Sequence, residues 1–142
     1  MKAHEYNTRE GLMSWKEFRQ LSGVHDKHCI SIFIPTQRAG KAVDSGEAQI
    51  RMKNNLKSLK KKLAETELPE EEQAARLRPM EEMLKDNHFW RNQSDGLAIF
   101  SNGKETEVFT LPVHFQEQNH LTDHYYMLPV IPYFNDDGAF FI

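Results

Sequence analysis

The sequence predicts an α+β domain in which a mixed β-sheet of about four strands is packed by a helical hairpin and a short N-terminal helix. Two observations predict this class. From about position 44 to 85, apolar residues recur at helical spacing. Before and after that stretch, short β-branched and aromatic runs end at Pro, Gly or Asn, which is typical of strands. A length of 142 residues fits one domain.

The chain begins with a polar segment, residues 1–13, for which we expect a flexible N-terminus. Ser14 and Glu17 then have the spacing of a capping box, in which each side chain accepts a hydrogen bond from the other residue's free backbone N–H. Gly23 is placed to end the short helix that starts there. The folded domain is therefore predicted over residues 14–135.

A buried strand and a helical hairpin follow. Residues 29–34 are β-branched and aromatic and stop at a proline, which predicts a largely buried strand. A first helix is predicted from about 44 to 66. Pro69, followed by three Glu that suit the positive end of a helix dipole, starts a second helix that runs to about residue 85. Pro79 inside that second helix predicts a kink or a break.

The next element is a β-hairpin. The strand-like runs 97–100 and 105–111 flank Asn102-Gly103, and Asn-Gly between two such runs is a strong hairpin signal. Residues 115–121 predict a weaker strand. The proline-interrupted segment 126–134 predicts a short helix or turns.

Residues 139–142, at the end of the chain, are an apolar run without a polar tail. This ending predicts that the chain is the front portion of a longer protein. We therefore assign residues 136–142 to the first strand of a following domain.

The most unusual stretch is 50–62, where six of thirteen residues are Lys or Arg and none is acidic. At helical spacing, one narrow side carries Met52, Leu56, Leu59 and Leu63, and the adjoining side carries Lys53, Lys57, Lys60 and Lys61. The lysines suit a helix that contacts phosphates. Two simpler interpretations stay open: a solvated face, and pairing with the five Glu between positions 65 and 72.

Composition limits the functional classes. The chain has 18 basic and 21 acidic residues and a net charge of -3, so any attraction to nucleic acid must be local. One cysteine, Cys29, excludes an internal disulfide and suits a reducing compartment such as the cytoplasm. We expect no membrane span, because apolar runs are too short.

No catalytic motif is present, and we expect no cofactor, no metal and no enzymatic activity. Zinc sites need three or four convergent ligands, and the nearest spacings are two short groups, His25 with His28 and Cys29, and His120 with Asp123 and His124. Trp90 beside Arg91 suits either stacking on a base or closing the core where helix meets sheet. Asp136 and Asp137 are expected in a turn rather than in acid–base chemistry.

The order of four short motifs resembles the N-terminal domain of eukaryotic and archaeal class-1 release factors, and more closely their bacterial and archaeal relatives. The motifs are a strand ending in Ile34-Pro35, Gln49-Ile50-Arg51-Met52-Lys53, Asp95-Gly96-Leu97-Ala98-Ile99-Phe100, and Asn135-Asp136-Asp137-Gly138. The resemblance covers about residues 14 to 142. It implies an α+β domain whose helical hairpin reaches the decoding site of the ribosome with its tip.

The resemblance also implies site residues. The family's Asn-Ile-Lys-Ser tip motif matches residues 49–52, which keep Ile50 and a cation at Arg51 but lack the Asn and the Ser. A second decoding motif, Tyr-x-Cys-x-x-x-Phe, falls on His120, Thr122 and Tyr126, and all three differ. The family's Gly-Gly-Gln triplet, which promotes hydrolysis of peptidyl-tRNA, belongs to the next domain and does not occur here.

The leading hypothesis is therefore a non-catalytic domain that contacts the ribosome or its RNA through the basic helix, with no predicted oligomeric state. Its candidate nucleic-acid-binding residues are Gln49, Ile50, Arg51, Lys53, Lys57, Lys60 and Lys61. The alternative is a protein-interaction or structural domain in which the glutamates neutralise the lysines. An enzyme would require a pocket that gathers His120, Asp123 and His124 or similar groups.

Overall fold

A five-stranded open sheet forms the centre of the computed structural model, which describes residues 7–38, 40 and 46–135. In chain order, the strands of this part are β1 (Asn7–Glu10), β2 (Met13–Ser14), β3 (His25–Pro35), β4 (Gly96–Ser101), β5 (Thr106–Leu111), β6 (Gln118–His124) and β7 (Phe134–Asn135). The large sheet has the order β1-β5-β4-β3-β6. Only its β1–β5 pair is parallel. The prediction of a mixed α+β fold is confirmed, with five strands in this sheet rather than about four.

The extra strand is β1, which lies in the segment predicted to be flexible. For residues 7–10 that prediction is wrong, because they pair with β5 at the edge of the sheet. Arg9 forms ion pairs with Glu107 and Glu17, and its guanidinium lies 5.3 Å from the centre of the Phe109 ring. Glu107 lies 98 residues further along the chain, and a polar strand of four residues has no apolar alternation that a sequence pattern could reveal. Residues 1–6 lie outside the described part.

The short N-terminal helix, α1 (Trp15–Ser22), begins as predicted. The Ser14 hydroxyl accepts from the Glu17 N–H at 3.0 Å, and the Glu17 carboxylate accepts from the Ser14 N–H at 2.9 Å, which completes the capping box. Gly23 ends the helix in a right-handed conformation, φ -88°, so it is not the left-handed glycine of a Schellman motif. The short strand β2, just before α1, pairs with β7.

The predicted β-hairpin is β4–β5, and its turn follows from local chemistry. Gly103 has φ +91°, a conformation that favours glycine. The Asn102 side chain accepts from the N–H groups of Lys104 and Glu105, each at 2.9 Å. The weaker strand, predicted over 115–121, is observed three residues later as β6, and Leu128–Tyr133 is a 3-10 helix. Residues 136–142 lie outside the described part.

The helical hairpin consists of α2 (Glu47–Ala64) and α3 (Glu70–Met83), joined by the turn 65–69. Pro79 does not break α3, so the predicted break is not observed: its side chain is buried, and packing of this face offsets one lost backbone hydrogen bond. A further helix, α4 (Asn87–Arg91), was not predicted. The Trp90 indole N–H in it donates to the Met83 carbonyl at 2.8 Å, so Trp90 closes the core.

Each face of the sheet carries its own core. On one face, aliphatic residues of β3, β4 and β5 pack against α2, α3 and α4. On the other face, the aromatic residues Phe33, Phe100, Phe109, Phe115 and Tyr125 pack with α1. The helical hairpin is thus fixed by its inner side, and the outer side of α2 faces solvent. Among the described residues, no helix is both long enough and apolar enough to cross a membrane.

Candidate nucleic-acid interface

The inner side of α2 is the predicted apolar stripe. Met52, Leu59 and Leu63 are fully buried and Leu56 is 6% exposed, so the prediction of these four core residues is confirmed. Their burial in the helical core fixes the rotation of α2 about its axis. The opposite side of the helix must therefore point away from the sheet.

The exposed surface that adjoins the apolar stripe carries Lys53, Lys57, Lys60 and Lys61, and we call these four residues the basic face. All four are exposed. Because a helix rises about 1.5 Å per residue, the basic face extends about 12 Å along α2. Within the described part of the chain, none of the four forms an ion pair with an acidic side chain.

The glutamates that the sequence offered as partners are engaged elsewhere or stay apart. Glu67 lies 3.4 Å from the imidazole of His28 and Glu72 lies 3.3 Å from the guanidinium of Arg76, which is buried. Glu70 and Glu81 line the same groove as Lys60, between α2 and α3, but no ion pair forms there. Self-neutralisation of the basic face by direct pairing is therefore not observed among the described residues.

The three candidate residues at the start of α2 have different environments. Gln49 donates to the Leu84 carbonyl at 3.2 Å, and Arg51 lies 2.7 Å from Glu117 in an ion pair, so both hold the helix in place. Ile50 is 55% exposed and borders the basic face. The resemblance placed residues 49–52 at the hairpin tip. That placement is wrong, because the tip is the turn 65–69 and residues 49–52 lie in the opposite half of α2.

A polar seam joins α2 to the edge strand β6, and sequence reasoning missed it. Asn55, 4% exposed, donates to Glu117 at 2.8 Å and accepts from the Asn119 side chain at 2.6 Å. The Lys62 ammonium donates to the Asn119 side-chain oxygen at 2.6 Å. We call Arg51, Asn55, Lys62, Glu117 and Asn119 the polar seam. It contains the two cations of α2 that lie outside the basic face: Arg51 is paired with a carboxylate, and Lys62 is hydrogen-bonded to a neutral amide.

The second motif implied by the resemblance begins next to this seam, on β6. The His120 ring stacks on the Tyr126 ring with centroids 3.9 Å apart, and its Nε2 lies 2.9 Å from the Gln118 side-chain oxygen. Burial, with a smaller contribution from the Lys62 charge, lowers the pKa of His120. Arg51 of the first motif belongs to the polar seam and His120 of the second follows the seam residue Asn119, although neither motif has the family's residues.

The remaining candidate chemistry does not converge. Cys29 is buried and burial raises the pKa of its thiol, which suits a structural residue. His124 pairs with Asp123 at 2.7 Å, whereas His120 turns to Tyr126. Among the residues that the structure describes, no group of three His, Cys, Asp or Glu side chains is placed to hold a metal ion.

Comparison with known proteins does not indicate a function for this chain. No protein-family model matches the chain, and no curated protein shows significant similarity to it. Any function must therefore be argued from the residues and geometry of this chain. The observation that stands out is a set of four exposed lysines on one helix that have no acidic partner within the described residues.

Proposed function

We propose that this is a non-catalytic domain of a release-factor-like, translation-associated protein, and that it contacts the ribosome or its RNA through the basic face. The observation that carries the proposal is the exposure of Lys53, Lys57, Lys60 and Lys61 without acidic partners among the described residues. The proposal places the protein in a reducing compartment, the cytoplasm, which the buried thiol of Cys29 suits.

Attraction of this domain to RNA must come from local charge. A protein with a net charge of -3 is not attracted to RNA as a whole. Each lysine that neutralises a phosphate nevertheless releases counterions, and this gain adds affinity without sequence preference. A row of free lysines on one helix can supply several such contacts together.

Rigid support makes that row effective. The apolar stripe of α2 is buried in the core, and the polar seam ties the same helix to β6. The lysine backbones are therefore fixed before binding, so less conformational entropy is lost on binding than if the same residues lay in a mobile segment. Ile50 extends the proposed surface by an apolar group. Gln49 and Arg51 contribute by holding the helix.

Co-sedimentation with ribosomes across a salt series tests the proposal. The test variant is K53Q/K57Q/K60Q. A matched control is K16Q/K27Q/K104Q, which removes the same charge from exposed lysines outside the basic face. We expect the natural protein and the control to pellet with ribosomes at low salt and to be released as salt rises, and the test variant to stay in the supernatant.

Two results would contradict the proposal. If the natural protein stays out of the pellet at low salt, the lysines are a solvated face and the alternative of a protein-interaction or structural domain replaces it. If the test variant and the control lose binding equally, bulk charge rather than the basic face is responsible.

A further inference from the structure

We infer that the basic face binds a double-helical segment of RNA through its phosphates, and not a single strand through its bases. This inference deepens the proposed function and rests on it. Four features of the helical hairpin support it: the type of its cations, its lack of aromatic rings, the shape of its basic face, and the charges that border that face.

The free cations of α2 are all lysines. Arginine reads guanine with two hydrogen bonds and stacks on bases, whereas lysine acts as a hydrated point charge suited to phosphate. The one arginine of α2, Arg51, is held by Glu117, and Arg76 of α3 is 5% exposed; the exposed Arg78 lies on α3, outside the basic face. The basic face therefore carries the chemistry of phosphate contact without that of base recognition.

The helical hairpin offers no surface on which bases could stack. Between Phe33 and Phe89 the sequence contains no Phe, Tyr or Trp. Trp15 is 38% exposed, but α1, which carries it, packs on the opposite face of the sheet from α2. Proteins that bind single strands depend on aromatic rings for about 1–3 kcal/mol per stacked base.

The shape of the basic face also favours double-stranded RNA over a single strand. Single strands are bound in grooves that follow their flexible backbone. The basic face instead lies on the exposed surface of one helix, where its four lysines extend over about 12 Å and Lys60 borders the groove between α2 and α3. Double-stranded RNA presents a rigid array of phosphates, and proteins recognise it by shape and by phosphate contacts on a matching rigid surface.

Carboxylates border the basic face on the side of α3, where Glu70 and Glu81 line the groove next to Lys60. On the side of the polar seam, Glu117 is paired with Arg51, and Lys62 keeps its positive charge because its partner Asn119 is a neutral amide. A strand displaced toward α3 would therefore meet carboxylates, whereas a rigid duplex laid along α2 would keep its nearest phosphates on the lysines.

Fluorescence anisotropy with labelled RNA tests the inference. The probes are two duplexes of about 20 base pairs and unrelated sequence, and one labelled strand of each, chosen without self-complementarity. The natural protein, K53Q/K57Q/K60Q and the matched control K16Q/K27Q/K104Q are titrated at one salt concentration.

We expect both duplexes to bind with equal affinity and each about tenfold more tightly than its single strand. The test variant should lose about tenfold or more in duplex affinity, and the control should bind like the natural protein. If single strands bind as tightly as duplexes and the test variant weakens both, the inference is wrong while the proposed function stands. If neither form binds, both are wrong.

Discussion

Asn55 links the basic helix to the edge of the sheet. Its buried side chain donates to the Arg51 carbonyl and to Glu117, and it accepts from Asn119. A buried amide is tolerated where its polar atoms find partners, and it then fixes one arrangement of the elements that it joins. Asn55 therefore helps to set which side of α2, and so which lysines, face outward.

Replacing Asn55 by Ala should lower the free energy of unfolding by about 1–3 kcal/mol, because Glu117 and Asn119 each lose a partner in a part-buried site. Urea denaturation measures the change. The matched control is Asn54→Ala, since Asn54 is the exposed neighbour on the same helix and its replacement should stay within about 0.5 kcal/mol. Equal effects of the two substitutions would contradict a bridging role for Asn55.

Residues whose partners lie nearby in sequence were predictable, and residues with distant partners were not. The Ser14–Glu17 capping box spans three residues and was found from spacing alone. Asn55 was missed because Glu117 lies 62 residues further on. Gly96 belongs to a quoted motif, yet only the fold shows why it is glycine: a Cβ there would lie 2.0 Å from the Val113 carbonyl oxygen.

Among helices and strands, too, features that depend on nearby residues were predictable and features that depend on distant residues were not. The β4–β5 hairpin and the core side of α2 follow from local turn chemistry and periodicity, and both predictions are confirmed. Strand β1 was missed because its stability comes from pairing with β5. The predicted break of α3 at Pro79 failed because tertiary packing outweighed a local preference. The basic face was predicted as a sequence pattern. Its lack of acidic partners within the described residues could be seen only in the folded structure.

The acidic helix α3 should weaken RNA binding, because Glu70 and Glu81 line the groove beside Lys60. We expect E70Q/E81Q to raise affinity for RNA by about twofold to fivefold at low salt and to have a smaller effect at high salt. Anisotropy titrations measure this. The control E10Q/E105Q changes the net charge equally at exposed glutamates outside the helical hairpin. An equal gain in both variants would show a bulk effect only.

In the molecule as a whole, the residues that carry the positive charge of α2 are different from the residues that stabilise the fold. The net charge is -3, yet positive charge is concentrated on the outside of α2 and negative charge on the neighbouring arm, α3. Stability comes mainly from the two cores on either face of the sheet, which contain none of the four lysines. Substitutions on the basic face should therefore change binding without unfolding the domain, which makes the surface experimentally accessible.

The pH dependence of whole-domain stability should report on His120. Its pKa is lowered in the folded state from an ordinary value of 6.5, so the unfolded chain binds the proton more readily. The contribution of neutral His120 to the free energy of unfolding is therefore complete above pH 6.5. It is lost as the pH falls below that value and through the lower pKa of the folded state. Urea denaturation between pH 5 and 7.5 should show a decline that is shallower in His120→Gln. An identical slope in both proteins would contradict this assignment.

The salt dependence of RNA affinity tests whether the basic face contacts phosphates, because its slope counts the phosphates that the protein neutralises. Binding of ribosomal RNA would be measured over a salt series for the natural protein, K53Q/K57Q/K60Q and K16Q/K27Q/K104Q. We predict that the plot of log affinity against log salt becomes shallower by about 2–3 for the first variant and stays unchanged for the second. Parallel lines for all three proteins would show that the basic face does not contact phosphates, and would contradict the account.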